Sequence, residues 1–125
     1  MLCKNYVQEC SSFITANNKE WEIRCNITCN SVNVIYYLVC LCCMHESYCG
    51  KTTNLRQRTN QHISESRTGN GSDKFDKHVF SCKQKHNDTK EPLFKLYAFI
   101  TLRDEKLLIP FENHLHQMGV DTMNR

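Results

Sequence analysis

Nine cysteines and six histidines in a chain of 125 residues are the groups that most demand a chemical explanation. So many thiols point either to disulfides in a secreted protein or to thiolate metal ligands in an intracellular one. The cysteine count is odd, and the close cluster Cys40-Leu41-Cys42-Cys43 together with the histidines fits metal binding better than a regular disulfide ladder. Asn26-Ile27-Thr28, Asn70-Gly71-Ser72 and Asn87-Asp88-Thr89 match the glycosylation triplet and would favour secretion, yet the first residues show no apolar run followed by a small-residue cleavage site. Reduced, metal-bound cysteines are the favoured reading, and buried free thiols are the bland one. A second group is Arg58 with His62, which project from one face of a helix together with Leu55 because residues three and four apart are neighbours there.

The net charge of +3 is unevenly spread. Lys51, Arg56, Arg58 and Arg67 meet only Glu65 between residues 50 and 67, and Lys74, Lys77, Lys83, Lys85 and Lys90 meet Asp76 and Asp88 in the next stretch. The end of the chain is acidic. A basic middle suits a phosphate backbone, although a solvated protein face has the same composition. No apolar run approaches the roughly 18 residues needed to cross a bilayer, so a soluble protein with no membrane partner is expected.

The elements that must position these groups follow from periodicity. Residues 1-30 form a cysteine-containing lead-in, with Cys3 and Cys10 among polar residues, expected to be partly ordered; residues 31-125 form one domain. Trp21, Ile23, Cys25 and Ile27 alternate as in a half-buried strand able to pair with the next. Val34-Ile35-Tyr36-Tyr37-Leu38-Val39 is β-branched and aromatic and predicts a central strand. Glu46 to Cys49, ending at Gly50, predicts its antiparallel hairpin partner, with the cysteine cluster in the connecting loop. Thr53 or Asn54 can cap a helix running to Ile63. The glycines of residues 68-73 mark a loop, and a helix near 73-81 follows. Leu93 to Ile100 has strand composition. Leu102 to His116 reads as a closing helix with Leu107, Leu108, Phe111 and Leu115 inward, and Pro110 marks a kink or its true start. The fold class expected is α+β, a short, mainly antiparallel three-stranded sheet flanked by helices.

Val34-Ile35-Tyr36 and Tyr48-Cys49-Gly50 stand where the GIY-YIG nuclease family has its two signature triplets. Gly50-Lys51-Thr52, Leu55, Arg58 and His62 resemble its turn and arginine-bearing helix, Phe111-Glu112-Asn113 its glutamate helix, and Met123-Asn124 its terminal asparagine. Val34 replaces the first glycine and Cys49 the middle isoleucine, and neither change removes a reacting group. The chain most resembles the subgroup carried by Penelope-like retroelements, which has a Cys-x-x-Cys between the triplets and paired histidines after the helix. Cys40, Cys43, His78 and His86 match that pattern, with Cys82 or Cys42 able to replace one of them. The approach from Cys29 to Tyr36, and Cys3 and Cys10 before it, also resemble that subgroup.

The resemblance implies a nuclease that nicks DNA with Mg2+ or Mn2+, carries a structural zinc, and works in the nucleus for a retroelement, with a reverse transcriptase or element RNA as possible partners. In that reading Glu112 holds the catalytic metal, since carboxylates suit hard divalent ions. Arg58 holds the scissile phosphate and opposes transition-state charge. Tyr36 activates water, with His62 the other candidate base; Tyr48 orients water or phosphate, and Asn124 steadies the site. Lys51 and Arg56 join Arg58 on the nucleic-acid backbone. Against each role stands a plainer one: solvated surface residues for Glu112 and Arg58, strand packing for the tyrosines. Two other classes remain open: a catalytically inactive, zinc-stabilised nucleic-acid-binding module or decayed element remnant, and a secreted disulfide protein.

Overall fold

A computed structural model describes residues 6-8, 12-23, 27-87 and 91-123. Cys3, Cys10, Cys25 and Asn124 lie outside these, so the expectations placed on them have no structural counterpart. The described chain runs β1 (Ser12–Ile14), β2 (Glu20–Glu22), β3 (Val34–Cys40), β4 (Ser47–Thr52), α1 (Leu55–Thr68), α2 (Lys74–Lys85), β5 (Phe94–Thr101), a 3-10 turn (Glu105–Leu107) and α3 (Leu108–Gln117).

The main sheet has the order β4-β3-β5 and is antiparallel throughout. This is the α+β architecture expected. The strand reading of Trp21 to Ile27 needs correction: β2 stops at Glu22 and pairs with β1, not with β3. Its partner was missed because Ser12-Phe13-Ile14 is too short to show a period of two.

β3 is buried along nearly its whole length because both sheet faces are covered. Val34, Tyr36, Leu38 and Cys40 face α1 and α2, where they meet Leu55, Ile63, Phe75, Val79 and Cys82. Ile35 and Tyr37 face the other way, toward Phe13, Phe99, Leu108 and Leu115. Fully burying each large aliphatic side chain in these layers contributes about 2 kcal/mol. The lead-in also packs on the sheet. Tyr6 stacks on Phe94 with ring centroids 4.5 Å apart, Val7 bridges to Leu96, and Phe13 of the β1-β2 hairpin lies on Tyr97 and Phe99.

Local chemistry sets the helix ends. The Asn54 side chain accepts from Gln57 N–H at 3.0 Å and starts α1, and Gly69 ends it at φ 73°, where a β-carbon is unfavourable. Asp73 starts α2 by accepting from Phe75 and Asp76 N–H. Pro110 falls in the first turn of α3, where its missing N–H leaves no helical bond unmade, so the helix starts near it and is not kinked by it. Leu107 lies in the preceding 3-10 turn and is exposed, contrary to the inward position expected of it.

Candidate active site and Cys/His centre

Gly50 lies within β4 opposite Tyr36, since the strand continues to Thr52 and does not end at Gly50 as expected. A β-carbon on Gly50 would sit 2.6 Å from Tyr36 Cζ and 2.7 Å from its hydroxyl, so only glycine lets the tyrosine ring lie across the strand. Gly50→Ala is expected to push Tyr36 out of its place and to destabilise the domain by about 1–3 kcal/mol, read as a lower thermal midpoint.

Behind that ring lies a buried hydrogen-bonded chain. Tyr36 Oη is 2.9 Å from His62 Nε2 and accepts from Arg58 Nε–H at 3.3 Å. His62 Nδ1 lies 2.8 Å from Asp76 Oδ1. Arg58 can only donate, so the phenolic hydrogen has Nε2 as its acceptor among the described residues, which leaves Nδ1–H to donate to Asp76. Burial pushes His62 down to about 3, and Arg58 pushes the same way, so the ring is neutral near pH 7. Burial, with Asp73 beyond it, pushes Asp76 up. Both directions disfavour separated charges, so this contact is a hydrogen bond in a dry interior more than an ion pair. Burial also raises Tyr36 well above the ordinary phenol value, against the pull of Arg58.

Arg58 links this interior to the surface. Its guanidinium reaches Asp73 Oδ2 at 3.1 Å, while Oδ1 of the same carboxylate caps α2. One residue therefore starts a helix and fixes the arginine.

The other carboxylate centre approaches β4 from the opposite face. α3 presents Glu112, which is buried, with Oε1 3.1 Å from Lys51 Nζ and Oε2 3.6 Å from His116 Nε2. Because β4 is an edge strand, residues of α1 and α3 converge on it from both sides of the sheet. Tyr48 lies between them: its ring centroid is 6.0 Å from that of His116, and its hydroxyl is pushed up by burial first and then by the Glu112 and Asp73 charges, with Arg58 opposing. One Glu112 oxygen is already paired with an ammonium, and the other, beside an imidazole, belongs to a donor set chemically suited to a divalent ion. Glu112 fits the metal role on that ground.

Arg56 bonds the Asn30 side chain at 2.9 Å. Of the residues expected in the catalytic group, Tyr36, Arg58 and His62 come together; Glu112 stands apart with Lys51, which was expected on the nucleic-acid backbone, and Tyr48 lies between the two groups. Sequence reasoning missed Asp73, Asp76, His116 and Asp121. The spacing of Glu112 and His116 on one helix was a usable signal. Nothing local links Asp76 to His62.

The Cys/His group sits where β3 runs into its loop. Cys40, Cys43, His78 and Cys82 each offer a ligand atom within 4.8 Å of the others. His78 and Cys82 come from one face of α2, four residues apart. His86 does not join Cys40, Cys43 and His78 as the sequence suggested. It lies one turn further on and groups with Cys42 and Cys82 instead. Both positions meet the loop: Cys82 stands beside Cys40 and Cys43, and His86, one helical turn further on, stands beside Cys42.

Three thiolates and an imidazole at such distances suit tetrahedral zinc. Although burial works against it, N–H groups of His45 and Glu46 hold the Cys43 thiol down to about 6, so one thiolate is present at neutral pH. Cys29 differs from the reading of reduced cysteines, since it is disulfide-bonded.

The small antiparallel sheet thus carries an arginine-histidine helix on one face and a carboxylate helix on the other. Residues 32–117 match the family model of the GIY-YIG catalytic domain, and the chain belongs to that family. The domain is thus of a nuclease type, which implies a nucleic-acid substrate, and GIY-YIG nucleases as a family use divalent metals. Neither the search of curated proteins nor that of solved structures gave a significant match. Among the described residues, no helix is long and apolar enough to cross a membrane.

Proposed function

We propose that this chain is a DNA endonuclease of the Penelope-like retroelement type, which nicks one strand with Mg2+ or Mn2+ and carries a structural zinc. The observation that supports it best is the convergence on β4 of Arg58, bonded to Tyr36, and of Glu112. The divalent ion, held by Glu112, would supply Lewis-acid charge to the phosphate and its leaving oxygen. Arg58 would exchange Asp73 for the scissile phosphate and stabilise the charge that builds on it.

Tyr36 is a weak base while it keeps its proton. It becomes effective when its phenolic proton passes to His62 Nε2 as its oxygen takes the proton of the attacking water. Asp76, at Nδ1, holds the ring so that Nε2 keeps facing the phenol. Tyr48 would orient water or phosphate, and Lys51 and Arg56 would hold the backbone. Target-site cleavage, nuclear residence and a reverse transcriptase or element RNA as partner belong to the same proposal and rest on the resemblance to that subgroup.

The first test is incubation of zinc-loaded protein with supercoiled plasmid, with and without Mg2+ or Mn2+. Open circles that require the metal support the nuclease. Binding without nicking in every condition would select the inactive binding module.

The zinc role has its own test. Cys82→Ser is expected to release the metal and lower the thermal midpoint by on the order of 10 °C, since about 2 kcal/mol has that effect in a domain of this size. His86→Ala is expected to keep both near the wild-type values. Metal analysis and thermal unfolding of reduced protein read the difference, and loss of zinc only in His86→Ala would reverse the assignment.

A further inference from the structure

His116 follows Glu112 by one helical turn, and its two ring nitrogens face different carboxylates. Nε2 lies 3.6 Å from Glu112 Oε2, and Nδ1 lies 3.3 Å from Asp121 Oδ1. The Asp121 carboxylate is fully buried and well held, because its other oxygen accepts from Cys49 N–H at 2.6 Å. A carboxylate fixed at Nδ1 makes that nitrogen the donor and leaves the Nε2 lone pair directed at Glu112. This is the arrangement that orients and strengthens imidazole ligands in metal sites. The other Glu112 oxygen already meets a cation, the Lys51 ammonium at 3.1 Å. The Tyr48 ring lies beside that of His116, with centroids 6.0 Å apart.

We infer that His116 is a second protein ligand for the divalent ion held by Glu112, with Asp121 as its positioning residue. The inference rests on the reading of Glu112 as a metal ligand. It makes the centre a mixed oxygen and nitrogen site, which favours Mn2+ over Mg2+, because imidazole suits transition metals while Mg2+ keeps to oxygen. If the ring is instead a structural bridge between two carboxylates, it contributes nothing to metal binding.

The test uses the full chain loaded with zinc, so that the Cys/His centre is filled, titrated with Mn2+. Electron paramagnetic resonance measures affinity, and electron spin echo modulation detects a nitrogen bound directly to Mn2+. The wild type is expected to bind Mn2+ and show the nitrogen signal. His116→Gln should lose that signal and bind at least tenfold more weakly, Asp121→Asn should weaken binding by roughly tenfold, and Glu112→Gln should abolish binding. Circular dichroism checks that each variant is folded, and His116→Asn repeats the test with a shorter side chain.

Mn2+ bound through Glu112 with no nitrogen signal, or with a signal that survives in His116→Gln, overturns the role of His116 and leaves that of Glu112 standing. Mn2+ bound normally by Glu112→Gln overturns the reading of Glu112 itself. No Mn2+ binding by the wild type overturns both.

Discussion

Glu112→Gln is expected to slow metal-dependent strand cleavage by roughly a thousandfold, equivalent to about 4 kcal/mol of transition-state stabilisation. The substitution keeps the size of the side chain and removes only its charge, on which retention of a divalent ion depends. Its structural cost is small. Glu112 pairs with Lys51, whose side chain is 36% exposed, and water can solvate the ammonium once its partner is neutral. The thermal midpoint should therefore move little while the initial rate of plasmid nicking collapses, which separates lost chemistry from lost fold. Cleavage at the wild-type rate in a folded Glu112→Gln protein would remove this residue from the site.

Arg58→Ala and Arg58→Lys are both expected to lower single-turnover nicking by about a hundredfold to a thousandfold, the range typical of one lost donor to a developing charge. The guanidinium donates to Tyr36 Oη through Nε and to Asp73 through Nη2. It can therefore turn one donor pair toward a phosphate while holding the tyrosine with another. A lysine ammonium carries the same charge on a single nitrogen and does not span both positions, so charge conservation should not rescue the rate. DNA affinity, measured by fluorescence anisotropy without divalent metal, should fall much less than the rate, because other basic residues also meet the backbone and the arginine acts most strongly on transition-state charge. Wild-type cleavage by Arg58→Lys would reduce the role to that of one more positive charge.

The two variants probe opposite sides of one strand. Arg58 and the Tyr36, His62 and Asp76 chain belong to the face covered by α1 and α2, and Glu112 with His116 and Asp121 to the face covered by α3. The strand between the two faces is β4, at the edge of the sheet. Gly50 matters there: without a side chain it lets Tyr36 reach across the strand toward His62 and Arg58.

Much of this was legible in the sequence. The run from Val34 to Val39 is apolar at every position, which marks a strand covered on both faces. Asn54 marks the start of α1, although the strand before it runs on past Gly50 to Thr52, and four-residue spacing puts Arg58 and His62 on one face. These features are carried by residues close in the chain, where backbone geometry alone relates one side chain to another.

Only the tertiary structure joined groups far apart in sequence. Asp76 meets His62 because α2 packs against α1, and its identity as a helix residue hides that contact. Cys82 replaces His86 beside Cys40 and Cys43 because the rotation of α2 against the loop decides which turn faces the thiols, and spacing along one helix does not contain that angle. Asp121 meets His116 because the chain turns back after α3, so that a residue beyond the helix also reaches Cys49 of the edge strand. The sequence by itself determined the elements and the kinds of chemistry available; packing decided which carboxylate stands behind which imidazole.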